Sequence, residues 1–176
     1  MDKITRERIV FFVFGAAVSL VLLVILSQMF FAPAVIPVFS PENGDTIIEF
    51  IDGAEDSLDI EMYLFTSDAA YDALGRAQER GVRIRVLLEA EPMDNANDAV
   101  YHKLAAAGIP VKFYSGERLH AKFMIRDGKS VLVGSHNFSY SALNKNREAS
   151  VIFSGGAVRE FIGIFEGDWL WASPSP

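Results

Sequence analysis

From Ile9 to Pro41 no position carries a charge. The first 23 positions of that run, Ile9–Phe31, would span roughly 34 Å as a helix, enough to cross a bilayer. No polar face interrupts the run, which argues against a buried core helix. Lys3, Arg6 and Arg8 precede it and no basic residue directly follows. The pattern therefore predicts a basic cytoplasmic stretch at 1–8, a transmembrane anchor at 9–31, and the rest of the chain outside the cytoplasmic membrane. Ala32-Pro33-Ala34 offers a signal-peptide cut as the rival reading. The length of the run and the proline beside the cut favour an uncleaved anchor. Pro33, Pro37 and Pro41 then predict a short, stiff linker at 32–42.

Beyond the linker the pattern changes to alternating helix and strand periods over 43–171, one domain. A helix is predicted at Asp45–Ile51. At Ser57–Phe65, Leu58, Ile60, Met62 and Leu64 share one strand face. Asp68–Arg80 reads as a helix burying Ala70, Tyr71, Leu74 and Ala77 and stopped by Gly81. Val82–Leu88 is a strand. Asn95–Ala107 is a helix with Val100, Leu104 and Ala107 inward, ended by Gly108. Val111–Tyr114 is a short strand, and His120–Ile125 and Ser130–Val133 form a hairpin about Asp127-Gly128. A strand at Arg147–Phe153 and a helix at Ala157–Trp171, striped by Val158, Phe161, Ile162, Phe165 and Trp169, close the domain. Residues 172–176 form a tail expected to fray. The sum is an α/β domain: a mixed β-sheet flanked by helices, preceded by one N-terminal transmembrane helix.

Composition narrows the chemistry. The chain has 176 residues, 51% apolar and 22% charged, so it is neither disordered nor of low complexity. It lacks cysteine, which excludes disulfides, thiolate zinc sites and a cysteine nucleophile. With only three histidines, His102, His120 and His136, no metal and no other cofactor is expected. The net charge of −7 disfavours nucleic-acid binding through bulk charge.

Candidate chemistry concentrates in 120–148. His120-Ala121-Lys122-Phe123-Met124-Ile125-Arg126-Asp127 reads H-x-K-x4-D. On a strand, His120 and Lys122 would share one face, and Ala121, Phe123 and Ile125 the apolar other. Asp127 has the other parity and is expected to brace the turn. Gly134-Ser135-His136-Asn137 follows, where Ser135 and Asn137 offer neutral donors and His136 is a rim residue. Glu148, in Asn146-Arg147-Glu148, is placed to orient the His120 imidazole. The inventory is a nucleophile or base (His120), a cation (Lys122), neutral donors and a carboxylate orienter, which suits a tetrahedral phosphate anion. No dense acidic cluster accompanies it, so a metal-free route is favoured over a two-metal one. Between Arg118 and Glu148 stand six basic residues, Arg118, Lys122, Arg126, Lys129, Lys145 and Arg147, against Asp127 and Glu148. That local excess suits an anionic substrate. Arg83 and Arg85 share a strand face and are expected to pair with Asp59 or Glu61. Tyr63, Phe65, Tyr114 and Phe138 are candidate base-stacking rings, with core packing the commoner role.

These segments resemble the HKD motif of the phospholipase D superfamily, with its G-S-x-N and N-x-E elements. The resemblance extends over about residues 43–171. It is nearest to the single-motif subgroup, which includes a small bacterial endonuclease and the membrane-anchored Zucchini-type mitochondrial enzyme. Two departures stand out. Leu119 occupies a position where relatives often carry a polar residue, and the cysteine-containing zinc element of the Zucchini branch is missing. The resemblance implies catalysis by paired motifs: one histidine attacks phosphorus to form a phosphohistidine, and the other protonates the leaving group. A chain with one motif would then act as a homodimer, with His120 and Lys122 of both copies meeting at a two-fold axis. Three functions are weighed. The first is a metal-independent endonuclease preferring single strands. The second is a phospholipase D acting on membrane phospholipid, and the third a catalytically silent dimer that binds nucleic acid or lipid.

Overall fold

A computed structural model describes residues 3–30, 35–90 and 95–174, in two compact units that divide at Pro33. The first unit is a single helix, α1 (Lys3–Phe30). Its described side chains from Phe11 to Leu23 are all exposed. Among the described residues no helix is long and apolar enough to cross a membrane. The expected 9–31 span thus stands as helix as far as Phe30, without support as a membrane crossing. Phe31 and the would-be cut at 32–34 lie outside the described residues.

The second unit is built on one seven-stranded sheet in the order β1-β7-β6-β5-β2-β3-β4. Its strands are β1 (Val35–Ser40), β2 (Ser57–Met62), β3 (Arg83–Leu88), β4 (Val111–Phe113), β5 (Lys122–Arg126), β6 (Ser130–Gly134) and β7 (Glu148–Ser154). β2, β3 and β4 run parallel, an arrangement that needs a crossover connection between successive strands, and all other pairings are antiparallel. Helices α2 (Asp45–Asp52), α3 (Asp68–Glu79) and α4 (Asp98–Ala106) pack on one face. There Leu58, Ile60 and Met62 meet Ile47, Phe50, Ala70 and Leu74 in one core. The short α5 (Tyr140–Asn144) precedes β7, and α6 (Val158–Trp171) covers part of the opposite face. Phe123, Ile125 and Val131 meet Val158 and Phe165 in that second core. β2 is buried along its whole length, which explains its lack of any solvent face.

Local signals place the ends. Ser67 caps α3 by accepting the Ala70 N–H at 3.3 Å, and Gly81, at φ +88°, supplies the left-handed residue after it. Arg85 ties α6 to the sheet. Its guanidinium donates to Asp59 at 2.7 Å and to Glu166 at 2.7 Å and lies 4.8 Å from the Phe165 ring centroid. Asp59 is thus the partner expected for this strand face.

Four expectations need correction. The predicted linker contains β1, an edge strand; its proline at 37 has no N–H to offer, which an edge tolerates. Ala107 is exposed, because α4 ends at Ala106 and the chain turns away there. Ser173, in the expected fraying tail, is hydrogen-bonded to Phe113 in both directions at 2.7 and 2.9 Å. β5 starts at Lys122, so His120 lies before the strand rather than on it.

Candidate active site

An open pocket of about 420 Å³ lies where β5 begins and β6 ends, lined by His120, Lys122, Gly134, Ser135 and Asn137. Four of the expected site residues therefore converge, although His120 is off the ladder. Lys122 is buried at 8% exposure and its Nζ donates to the His120 carbonyl at 2.9 Å. Burial lowers the Lys122 pKa and the charge of Glu148 works against that lowering. The ammonium also sits 5.0 Å from the Tyr63 ring centroid, and the His120 ring packs on the same tyrosine at 4.6 Å. Tyr63, one of the four rings singled out as candidates for stacking, thus stands beside the imidazole, one residue beyond the end of β2.

Glu148 stands at the start of β7. Its Oε2 accepts the Ser135 hydroxyl at 2.5 Å and its Oε1 accepts from Asn146 Nδ2 at 3.2 Å. Ser135 Oγ in turn accepts the Ala149 N–H at 3.1 Å. The carboxylate therefore braces Ser135 rather than the His120 ring, which corrects the expected orienter role within one copy of the chain. Gly134 is required by a close approach and not by a sharp exit: it pairs with Ser150, and a Cβ there would overlap Ser150 Oγ and the Ala149 carbonyl.

His136, expected at the rim, is buried at 1% exposure. Its Nδ1 meets Ser150 Oγ at 2.6 Å, while Nε2 and the neighbouring Asn137 Oδ1 are buried without a partner among the described residues. Burial lowers its pKa against the opposing charge of Glu148, so His136 is neutral near pH 7. Leu119 is also buried, packed with Phe123 and Phe165 and absent from the pocket wall.

Asp127 lies at the far end of β5, in the hairpin turn at φ 56°. Its carboxylate accepts the N–H groups of Glu55, Asp56 and Ser57, at 2.7 Å for Asp56. Partial burial pushes its pKa up, but those N–H groups and Lys129 outweigh it and hold the group below its ordinary value. Much of the basic excess is engaged by acidic or aromatic neighbours. Arg147 pairs with Glu42, Lys129 with Asp56, and Arg126 lies over Phe50. Arg118 extends over Tyr63 beside the pocket, and Lys145 over Tyr140. Phe65 and Phe138 form a buried edge-to-face pair and are core, not stacking platforms. His102 is exposed on α4.

Chemically, the pocket offers an exposed imidazole, a desolvated ammonium, a hydroxyl and an amide, the groups needed to hold a phosphate and attack it. Among the described residues, no three His, Asp or Glu side chains gather to hold a metal ion.

Comparison with known proteins agrees with this geometry. The family described as "Cardiolipin synthase, PLD-like domain" matches residues 47–169. A "Phospholipase D" of Rickettsia prowazekii is 32% identical over 125 residues, covering 69% of this chain and 60% of that protein. Mouse "Mitochondrial cardiolipin hydrolase" is 33% identical over 124 residues, covering 69% of this chain and 56% of that protein. The chain thus spans roughly three-fifths of these relatives' length. Among solved structures, Nuc from Salmonella typhimurium, a phospholipase D family member, superposes with a TM-score of 0.75 at 27% identity, covering 80% of this chain and 96% of Nuc. With its matched segment enclosing the whole pocket, the chain belongs to the phospholipase D-like family.

Proposed function

We propose that the chain is a metal-independent phosphodiesterase that works as a homodimer. The convergence of His120, Lys122, Ser135 and Asn137 on one pocket carries this reading. His120 of one copy attacks phosphorus; the P–O bond to the leaving oxygen breaks, and the second copy's His120 gives that oxygen its proton. The second copy's His120, now a base, takes a proton from water as the hydroxide displaces the first histidine. Lys122 offsets charge on the non-bridging oxygens throughout, and Ser135 and Asn137 orient them.

A specific surface supports the dimer. α6 leaves open the pocket end of its sheet face, where Pro37, Phe39, Val133, Ala149 and Val151 form an apolar groove. Phe39 is 40% and Val151 36% exposed there. Val133 and Ala149 adjoin the pocket residues Gly134 and Ser135, so a second copy seated on the groove brings the two pockets together.

The preferred substrate is nucleic acid, single strands first, cut internally. Arg118 and the Tyr63 ring beside His120 favour a strand with flanking phosphates and bases. The second reading is hydrolysis of membrane phospholipid, favoured by the named activities of the relatives and by α1. In our reading α1 and its flanks anchor the chain, with the N-terminus cytoplasmic and the domain outside. The uncharged run Ile9–Phe31 and the exposure of every described side chain from Phe11 to Leu23 support this. A catalytically silent binding dimer is the least favoured, since binding needs Lys122 but not His120.

The test is to offer the full chain in detergent, with EDTA, both single-stranded oligonucleotide and mixed phospholipid vesicles. Oligonucleotide cleavage that His120→Ala lacks supports the nuclease; headgroup release alone moves the chain to the lipase reading. No turnover on either, or loss of turnover on chelation, overturns the proposal.

A further inference from the structure

His120 belongs to no ladder of the sheet; residues 114–121 reach β5 as irregular chain. A nucleophile that must line up with a P–O bond needs its backbone held, and irregular chain is held only by specific hydrogen bonds. Two such bonds flank His120. On its N-terminal side, the Leu119 N–H donates to Glu89 Oε2. On its C-terminal side, the Ala121 carbonyl accepts the Tyr63 N–H at 3.1 Å. Both anchors come from chain just past the ends of the neighbouring strands β2 and β3.

One side chain joins these two anchors. Asn97 is wholly buried at 0% exposure. Its Nδ2 donates to the Tyr63 carbonyl at 3.0 Å and the Glu89 carbonyl at 3.1 Å, and its Oδ1 accepts the Phe65 N–H at 2.8 Å. Asn97 stands at the N-cap of α4 yet makes no side-chain bond to that helix. Its amide is spent on the sheet. The segment it holds also carries the other half of the pocket. The Phe138 N–H donates to the Leu64 carbonyl at 3.0 Å, and the Phe138 carbonyl accepts from Thr66 at 2.7 Å and Ser67 at 2.9 Å. Phe138 directly follows the pocket residue Asn137.

Glu89 is itself buried, at 6% exposure. A buried carboxylate costs free energy unless hydrogen-bonded, and when bonded it makes a short, stiff, charge-assisted anchor. We propose that Glu89 and Asn97 are positioning residues for the phosphoryl-transfer site. Acting through Leu119, Tyr63 and Phe65, they set the spacing between the His120–Lys122 half and the Ser135–Asn137 half. The inference rests on the phosphodiesterase reading above.

The test uses the full chain in detergent. Glu89→Ala is expected to lower kcat about 100-fold with KM changed less than about 3-fold, because the substrate-touching groups remain but are displaced. Glu89→Gln keeps an acceptor oxygen for Leu119 and is expected to recover kcat to within about 5-fold of the parent. Asn97→Ala is expected to resemble Glu89→Ala, and the double variant to lose at most about 3-fold more than the worse single one. A second readout needs no turnover: amide exchange at Leu119 and the His120 ring resonances. Glu89→Ala is expected to speed Leu119 exchange at least about 10-fold and to move the His120 signals, leaving the β2 and β6 amides protected. A folded Glu89→Ala with parental kcat, or with Leu119 and His120 unchanged, overturns the proposal. If the alanine variants do not fold, the parent decides: Leu119 must exchange far more slowly than Ser115–Arg118, and equal rates overturn it. A parent without turnover on any phosphodiester would sink the phosphodiesterase reading alone, while the resonance data still judge the frame.

Discussion

Ser135 donates its hydroxyl to Glu148 Oε2 at 2.5 Å, joining the loop after β6 to the first residue of β7 at the edge of the pocket. Glu148→Ala removes that acceptor and the one for Asn146. The expected result is a kcat loss of about 10- to 100-fold with the fold retained, since one charge-assisted bond contributes about 1.5–3 kcal/mol. Glu148→Gln, which keeps an acceptor oxygen, should lose less. Steady-state kinetics on both variants checks this; equal losses would assign Glu148 a role through its charge.

His120→Ala should lower turnover at least about 10³-fold while substrate binding and melting temperature stay close to the parent. Lys122→Ala should cost about 10²–10³-fold, the scale of losing one preorganised electrostatic group. Kinetics paired with a binding titration separates the two roles: His120 mutants should still bind, and Lys122 mutants should bind anionic substrate more weakly.

Burial lowers the Lys122 pKa. The cation is present at low pH and lost as pH rises through that lowered value. Activity should therefore fall on the alkaline side before an ordinary lysine, near 10.4, would titrate. Lys122→Arg stays charged throughout and should move this limb upward, at reduced activity. A pH–rate profile from 7 to 11 decides it. An unmoved limb assigns the titration to another group.

Glu61 is buried at 1% exposure on the α6 side of β2. Burial first, and then the charge and hydrogen bond of Asp168, push its pKa from 4.5 up to about 8. Because the folded value lies above the unfolded one, its contribution is fully present below about pH 4.5 and is lost as pH rises toward 8. The slope inside that window is up to about 1.4 kcal/mol per pH unit. Glu61→Gln cannot ionise and should flatten the dependence, melting higher than the parent at pH 8.5. Thermal melts across pH 4–9 check it.

Val151→Glu places a charge in the open groove beside the pocket without touching the core. Sedimentation should show a monomer, and turnover should fall in step with dimer content. A fully active monomer would refute the composite site.

Much of this molecule was legible because particular residues obey a period. Leu58, Ile60 and Met62 alternate onto one core, and Phe123 and Ile125 onto the other. The motif spacing likewise brought His120, Lys122, Ser135 and Asn137 to one pocket. What escaped had no period to read. β1 hid behind Pro37, and α5, with five residues, is too short for a stripe. Asn97 looked like an ordinary residue of the first helical turn, because its three partners are backbone groups 8 to 34 residues away. Glu61 looked like a mate for Arg83 or Arg85. Arg85 was instead taken by Asp59 and Glu166, leaving Glu61 against Asp168.

β1 joins the domain to whatever precedes it, and it is held by a single ladder to β7. That ladder runs from Val35↔Phe153 to Ser40↔Glu148. Tension along the chain from its N-terminal side enters the domain at Val35 and reaches the sheet through this ladder. The pair at its far end contains Glu148, whose carboxylate holds Ser135. Mechanical load and the pocket thus share one strand, with the register of β1 as the fuse between them.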